Sequence, residues 1–129
     1  VPAGYYVRAG HPLAGRAGLT LADLAPYPLA SPELGRQPTG GVYAGRGGIA
    51  CEDVTTLKRL TLASDAVLLA IGFALEPELA QGQLVPSSAL ASDDGLAHVG
   101  VVEPAGRTRS AAAERVIAGF AERLRPFGR

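Results

Sequence analysis

An unbroken apolar run at residues 66–71 constrains the fold more than any other feature, because it lies between two segments of helical periodicity. A short run that is apolar at every position is typical of a strand covered on both faces of a sheet. In the preceding segment, apolar residues recur at helical spacing over 54–60, and Lys58 is expected to point outward. Residues 48–84 therefore predict repeating strand–helix units of an open α/β lobe.

Shorter signals complete this central stretch. Residues 49–51 predict a first strand buried on both faces, and Cys51 is interpreted as a core residue. The acidic pair at 52–53 is placed to cap the following helix, since a carboxylate accepts hydrogen bonds from the free N–H groups of a first turn. A second helix is predicted over 73–81, ended by Gly82.

Further elements are predicted on both sides of that stretch. The N-terminal part contains a strand at 5–8, a short helix that Thr20 opens, a strand at 28–31 and a glycine-rich loop over 33–48. The C-terminal part contains a strand stub at 84–85, a polar connector over 86–95, a strand at 96–103 and a final helix that Ser110 caps. The final helix is amphipathic, with apolar positions at Ala113, Val116, Ile117, Phe120 and Leu124.

The order of these elements indicates an α/β fold with a mostly parallel sheet flanked by helices. Such sheets bind ligands at the carboxyl ends of their strands, where helix N-termini present free N–H groups. Four residues follow three of the predicted strand ends: Ser31, Thr55, Thr56 and Phe73. Their hydroxyl and N–H groups are predicted to bind a carboxylate or another small polar group. An equally weighted alternative is that Thr55 and Thr56 only cap their helix.

Composition excludes several classes of partner. The 129 residues include twelve basic and twelve acidic side chains, so the net charge does not argue for nucleic acid or an anionic membrane. No apolar run approaches the roughly 18 residues that span a bilayer. The single cysteine cannot form an internal disulfide and favours a reducing, cytoplasmic setting. The chain starts at Val1 and contains no methionine, and we expect it to be a piece of a longer protein.

Residue types that carry catalysis or bind metals form no recognisable pattern. The two histidines, His11 and His98, fall in a turn and a strand, and neither is spaced from a carboxylate as a metal pair would be. No Gly-x-Ser-x-Gly elbow occurs, and the glycine-rich stretches lack the Lys-Ser/Thr ending of a phosphate loop. A helix cap is favoured over acid catalysis for the pair at 52–53. We therefore predict no enzyme activity, no metal site and no cofactor.

A set of segments recurs in a characteristic order over nearly the whole chain. They are YVRAGHPL at 6–13, LTLADL at 19–24, YPL at 27–29, CEDVTTLK at 51–58, FALEPELAQGQLVP at 73–86 and the final helix after 106–108. In order and spacing they resemble the effector-binding domain of LysR-type transcriptional regulators. The resemblance implies a periplasmic-binding-protein-like (type 2) fold, with two α/β lobes joined by two crossing strands.

The resemblance also implies a division of the chain. Residues 1–95 would form the second lobe with the first crossing strand, and residues 96–129 the return strand and a C-terminal helix of the first lobe. The rest of the first lobe and a DNA-binding helix-turn-helix would lie outside this chain.

The function implied by the resemblance is sensing. A small anionic metabolite would bind between the lobes, with Ser31, Thr55, Thr56 and Phe73 as this lobe's half of the site. Binding would modulate a dimer or tetramer on promoter DNA in the bacterial cytoplasm. Two alternatives share the fold: a solute-binding protein of a transport system, and a non-catalytic binding domain of an enzyme.

Overall fold

Five strands form one mixed sheet in the residues that this computed structural model describes, which are 1, 3–32, 47–90 and 99–127. The strands are β1 (Ala3–Arg8), β2 (Leu29–Ser31), β3 (Gly48–Ala50), β4 (Val67–Ile71) and β5 (Leu84–Leu90). Their order across the sheet is β3-β2-β4-β1-β5. β2 is parallel to β3 and β4, whereas β1 is antiparallel to β4 and β5. The predicted α/β class is confirmed, but the sheet is not mostly parallel as predicted. β1 lies antiparallel to both of its neighbours, so parallel and antiparallel pairings are equal in number among the described strands.

Four α-helices accompany the sheet in the described part of the chain. They are α1 (Leu21–Leu24), α2 (Val54–Leu62), α3 (Glu76–Ala80) and α4 (Ala111–Leu124). A 3₁₀ turn at Gly72–Leu75, which we call the Gly72 turn, precedes α3, and a second at Arg125–Phe127 follows α4. The helix predicted over 73–81 is therefore divided into a 3₁₀ turn and a short α-helix. Gly82 ends it with a φ of 66°, a left-handed conformation that glycine adopts without steric cost.

Side-chain caps begin the two longer helices, as predicted. Asp53 precedes α2, and its Oδ1 accepts a hydrogen bond from the Thr55 N–H at 3.0 Å. Ser110 precedes α4, and its hydroxyl accepts one from the Ala113 N–H at 3.1 Å. A short polar side chain before a periodic segment predicts a helix start well, because the interaction spans only two or three residues.

Each face of the sheet is covered by its own apolar core. The α2 core lies on one face and contains Tyr6, Ala30, Leu57, Ala66, Leu68, Ala70, Leu75 and Leu84. The α1 core contains Tyr5, Val7, Leu13, Leu19, Leu24, Val67 and Ala89. Neighbouring residues such as Tyr5 and Tyr6 fall in different cores, since successive side chains of a strand point to opposite faces.

The outer strands of the sheet differ from the prediction. β3 is exposed along its length, and Ile49 is 50% exposed, so a strand buried on both faces is wrong. The reason is that β3 lies at an edge and, among the described strands, pairs only with β2. Cys51 follows β3 and is partly buried against the α2 core. β5 extends to Leu90, so residues 86–90 are strand rather than the predicted polar connector.

The segment that follows β5 is more exposed to solvent than the sheet. Residues 99–103 form no strand, so that part of the strand predicted at 96–103 is wrong, since no described strand pairs with it. Residues 96–98, with His98, lie outside the described residues, as do 91–95 and most of the predicted glycine-rich loop. The apolar side of α4 borders a groove of about 440 Å³, lined by Val99, Gly100, Val101, Val116, Ile117, Phe120, Ala121 and Leu124. No helix in the described residues is long and apolar enough to cross a membrane.

Candidate functional site

The carboxyl ends of β2, β3 and β4 meet at one edge of the sheet, because these strands are parallel. We call this the carboxyl edge. β2 ends at Ser31, α2 begins shortly after β3, and the Gly72 turn follows β4 directly. The edge therefore brings together Ser31, the first turn of α2 with Thr55 and Thr56, and Phe73. This is the position at which open α/β sheets bind ligands.

Ser31 is held firmly at this edge. Only 7% of its area is exposed, and its carbonyl accepts a hydrogen bond from the Cys51 N–H at 3.0 Å. That bond extends the pairing of β2 with β3 one residue beyond the end of β3. The Ser31 side chain is consequently presented from a fixed backbone between two neighbouring strand ends.

Thr55 and Thr56 both serve the Asp53 cap. The Thr55 N–H donates to Asp53 Oδ1 at 3.0 Å, and the Thr56 hydroxyl donates to Oδ2 at 2.6 Å. These two hydrogen bonds lower the pKa of Asp53, because both favour the ionised carboxylate. The bond from the Thr56 hydroxyl lowers the pKa most, and the bond from the Thr55 N–H comes next. The Thr56 side chain therefore takes part in the cap, whereas Thr55 contributes only its backbone N–H, and the carboxylate of Asp53 lies at the carboxyl edge. The Thr55 side chain itself is exposed.

Phe73 contributes an aromatic surface. It is partly buried in the Gly72 turn, and its ring centroid lies 5.7 Å from that of Phe127, with the planes tilted by 48°. This geometry is within the favourable range for aromatic pairs. The contact places the 3₁₀ turn that follows α4 beside the carboxyl edge.

An ion pair that the sequence reasoning missed braces this edge. Lys58, predicted to point outward, has its Nζ 2.8 Å from Glu78 Oε1, and both side chains are only 17% exposed. Nζ also donates to the Ala74 carbonyl at 3.3 Å, so Lys58 ties α2 to the Gly72 turn. Burial is the largest single influence and raises the pKa of Glu78. The hydrogen bond from Lys58, a hydrogen bond from the backbone N–H of Glu78 and the charge of Lys58 together outweigh burial, so the pKa is lowered. Opposite charges on two predicted helices are visible in the sequence, but their pairing depends on how α2 and α3 pack.

The family of this chain is decided by a match over nearly its whole length. Residues 2–125 match the model of the LysR substrate binding domain, a span that includes every element of the carboxyl edge. This chain belongs to the LysR substrate-binding domain family. The family fold is the type 2 periplasmic-binding-protein-like fold, which confirms the fold predicted from the resemblance.

A curated LysR-type relative agrees with this family. The "SDS degradation transcriptional activation protein" of Pseudomonas sp. (strain ATCC 19151) is 37% identical over 124 residues, covering 88% of this chain. The chain spans about 40% of the length of that relative. The printed name of this relative describes a transcriptional activator.

The side chains weighed for catalysis have structural contacts in this LysR-family domain. His11 is 4% exposed, and its Nδ1 accepts a hydrogen bond from the Leu13 N–H at 3.0 Å. Nε2 therefore carries the proton and donates to the Asp65 carbonyl at 3.1 Å. Cys51 Sγ accepts from the Asp53 N–H at 3.4 Å. Among the described residues, no three His, Cys, Asp or Glu side chains are grouped to hold a metal ion.

Proposed function

We propose that this chain is the effector-sensing domain of a LysR-type transcriptional regulator. The supporting observation is the carboxyl edge, where Ser31, the first turn of α2 and Phe73 converge in a chain of this family. A small anionic metabolite binds there, in a cleft between two lobes. Residues 1–95 are the second lobe, and residues 96–129 contribute to the first. Ser31, Thr55, Thr56 and Phe73 are the second lobe's half of the site.

Asp53 determines where the negative group of the ligand lies. Its lowered pKa keeps it ionised at neutral pH, and like charges repel, so an anion is disfavoured directly at the N-terminus of α2. The anionic group lies instead toward Ser31 and the Gly72 turn, and the Phe73 ring contacts an apolar part of the ligand. The name of the Pseudomonas relative refers to SDS, an alkyl sulfate with a negative head and an apolar chain. Alkyl anions are therefore the first ligands to test.

Sensing requires that the ligand distinguish two states. A ligand that touches both lobes shifts the open–closed equilibrium only by its difference in affinity for the two states. Closure reorients the subunits of a dimer or tetramer on promoter DNA, which a helix-turn-helix outside this chain contacts. A regulator of this kind works in the cytoplasm and binds its ligand without converting it.

A thermal-shift screen on the full-length protein tests this proposal. The probes are octanoate, octyl sulfate and the uncharged 1-octanol, which share one chain length. We expect the two anions to raise the unfolding midpoint more than 1-octanol does. Equal shifts from all three, or none, would reject an anionic alkyl effector, and turnover of a bound probe would indicate an enzyme.

Variants locate the site on the carboxyl edge. The double variant Thr55→Ala/Thr56→Ala and the single variant Ser31→Ala should weaken octanoate binding in calorimetry while promoter binding persists. Thr108→Ala is the matched control, because Thr108 is exposed and lies outside this edge. The site assignment is wrong if the double variant and Ser31→Ala both bind octanoate as the Thr108→Ala control does.

A further inference from the structure

The side chains of Tyr6 and its neighbour Tyr5 point to opposite faces of the sheet. Both are buried, at 8% and 4% exposed, but Tyr5 belongs to the α1 core and Tyr6 to the α2 core. The two residues therefore form a matched pair of tyrosines on opposite faces of the same strand.

The ring of Tyr6 runs along β1 toward the carboxyl edge. A Cβ built on Gly4 would lie 3.7 Å from Tyr6 Cε2 and 3.8 Å from the hydroxyl oxygen, so the ring covers Gly4. Because β1 is antiparallel to β4, its N-terminal end lies beside the C-terminal end of β4, where Gly4 pairs with Ala70. The phenol thus spans from the middle of β1 to the edge where the ligand is proposed to bind.

The hydroxyl of Tyr6 ends against Gly72. A Cβ built on Gly72 would be 3.0 Å from Tyr6 Oη, closer than carbon and oxygen ordinarily approach. Glycine at the start of the Gly72 turn therefore makes room for the hydroxyl, immediately before Phe73. A methyl group on Gly4 would be in ordinary van der Waals contact with the ring, so the close approach is at Gly72.

This hydroxyl has unused hydrogen-bonding capacity. It makes no hydrogen bond to any residue that the structure describes. Burial raises the pKa of Tyr6, so the phenol stays protonated and can donate. The hydroxyl oxygen is not among the fully buried unpartnered polar atoms of the described residues, so solvent still reaches it, and a ligand oxygen placed there would replace water as its partner.

We infer that Tyr6 is a ligand-contacting residue of the effector site, whose hydroxyl donates to an anionic oxygen of a carboxylate or sulfate at the carboxyl edge. This rests on the proposed function, and it extends the site from the parallel strands to β1. It also gives the negative group of the ligand a donor on the side of the edge away from Asp53, beside the Gly72 turn. A hydrogen bond to a charged oxygen is stronger than one to a neutral oxygen, so Tyr6 favours the anion over an alcohol.

Calorimetry on the full-length protein with octanoate and 1-octanol tests the role of Tyr6. Tyr6→Phe removes one oxygen and keeps the ring, and we expect octanoate affinity to fall about tenfold, with a smaller loss for 1-octanol. Tyr5→Phe is the control and should bind octanoate as the wild type does. Gly72→Ala keeps the phenol but displaces it, so it should weaken octanoate binding in the same direction.

The outcomes separate this inference from the proposed function. If the wild type binds octanoate and Ser31→Ala weakens it, but Tyr6→Phe and Gly72→Ala do not, the role of Tyr6 is wrong while the site stands. If the wild type binds neither probe, an alkyl-anion effector and the role of Tyr6 in binding it are both overturned. If Tyr6→Phe lowers the unfolding midpoint, unchanged octanoate affinity in Gly72→Ala still overturns the role of Tyr6.

Discussion

The two longest helices, α2 and α4, have similar local sequence features and different surroundings. Each is amphipathic and begins at a side-chain cap, Asp53 in α2 and Ser110 in α4. α2 buries Leu57 completely in the α2 core, whereas α4 buries no residue against the described part of the chain. Val116 and Phe120 of α4 are 59% and 64% exposed. The comparison teaches that periodicity predicts a helix and its apolar side, but not whether anything covers that side.

The difference follows from what each helix packs against. α2 lies against β1, β2 and β4, while the main described contact of α4 is with the 3₁₀ turn that follows it. The division of the chain at residues 95 and 96 between two lobes stays a prediction. In that division, the apolar side of α4 would pack within the first lobe.

Replacing one apolar residue of each helix with alanine should give the largest difference between α2 and α4 in the free energy of unfolding. Leu57→Ala leaves a cavity in the α2 core and should lower the free energy of unfolding of this chain by about 2–5 kcal/mol. Val116→Ala removes a side chain that is already half in solvent and should change it by less than about 0.5 kcal/mol. Urea unfolding followed by circular dichroism measures both, and equal losses would show that α4 is packed in solution.

Ion pairs offer a second comparison of the two regions. Lys58→Met leaves the Glu78 carboxylate without its partner in a largely buried position and should cost about 1–2 kcal/mol. Arg109→Met removes the partner of Glu103, but those side chains are 46% and 44% exposed, so we expect little change. Added salt should not restore the free energy of unfolding of Lys58→Met to the wild-type value. A loss in Arg109→Met as large as that in Lys58→Met would contradict this ranking.

The smallest expected effect is the pH dependence of the two caps. The pKa of Asp53 is held below its ordinary value of 3.8, so its stabilising contribution is present above that value and is lost as pH falls through the lowered pKa. Asp53→Asn should therefore weaken the folded state near pH 7 and reduce the loss of stability on acidification. Ser110→Ala removes a cap that does not titrate and should leave the pH profile unchanged. Urea unfolding at a series of pH values from 7 into the acid range measures this dependence. If the free energy of unfolding of Asp53→Asn fell with pH as steeply as that of the wild type, the contribution assigned to Asp53 would be wrong.

The candidate site could be anticipated in outline because parallel strands bring their carboxyl ends together. That rule placed Ser31, Thr55, Thr56 and Phe73 at one edge without any knowledge of side-chain contacts. Their individual roles could not be anticipated in the same way. The Thr56 hydroxyl is engaged by a carboxylate three residues away, a local contact that competes with any ligand.

Other features escaped prediction because they depend on position in the sheet. The connector predicted from Pro86 is instead part of β5, an outer strand of the described sheet, and outer strands are where proline is tolerated. The sequence predicts that Ile49 is buried, but β3 is the opposite edge of the described sheet and leaves Ile49 half exposed. A short segment does not encode whether it will be central or outermost, because that depends on the order in which distant strands pair.

Local sequence patterns predict the apolar strand β4, the helix starts at Asp53 and Ser110, and the stop at Gly82. Each of these depends on interactions within a few residues, which the order of side chains specifies directly. Folding in three dimensions brings Lys58 to Glu78 and the Tyr6 hydroxyl to Gly72. It also buries one side of α2, whereas no residue of α4 is buried by the described part of the chain. These contacts join residues that are far apart in the chain, so they form only when the sheet assembles.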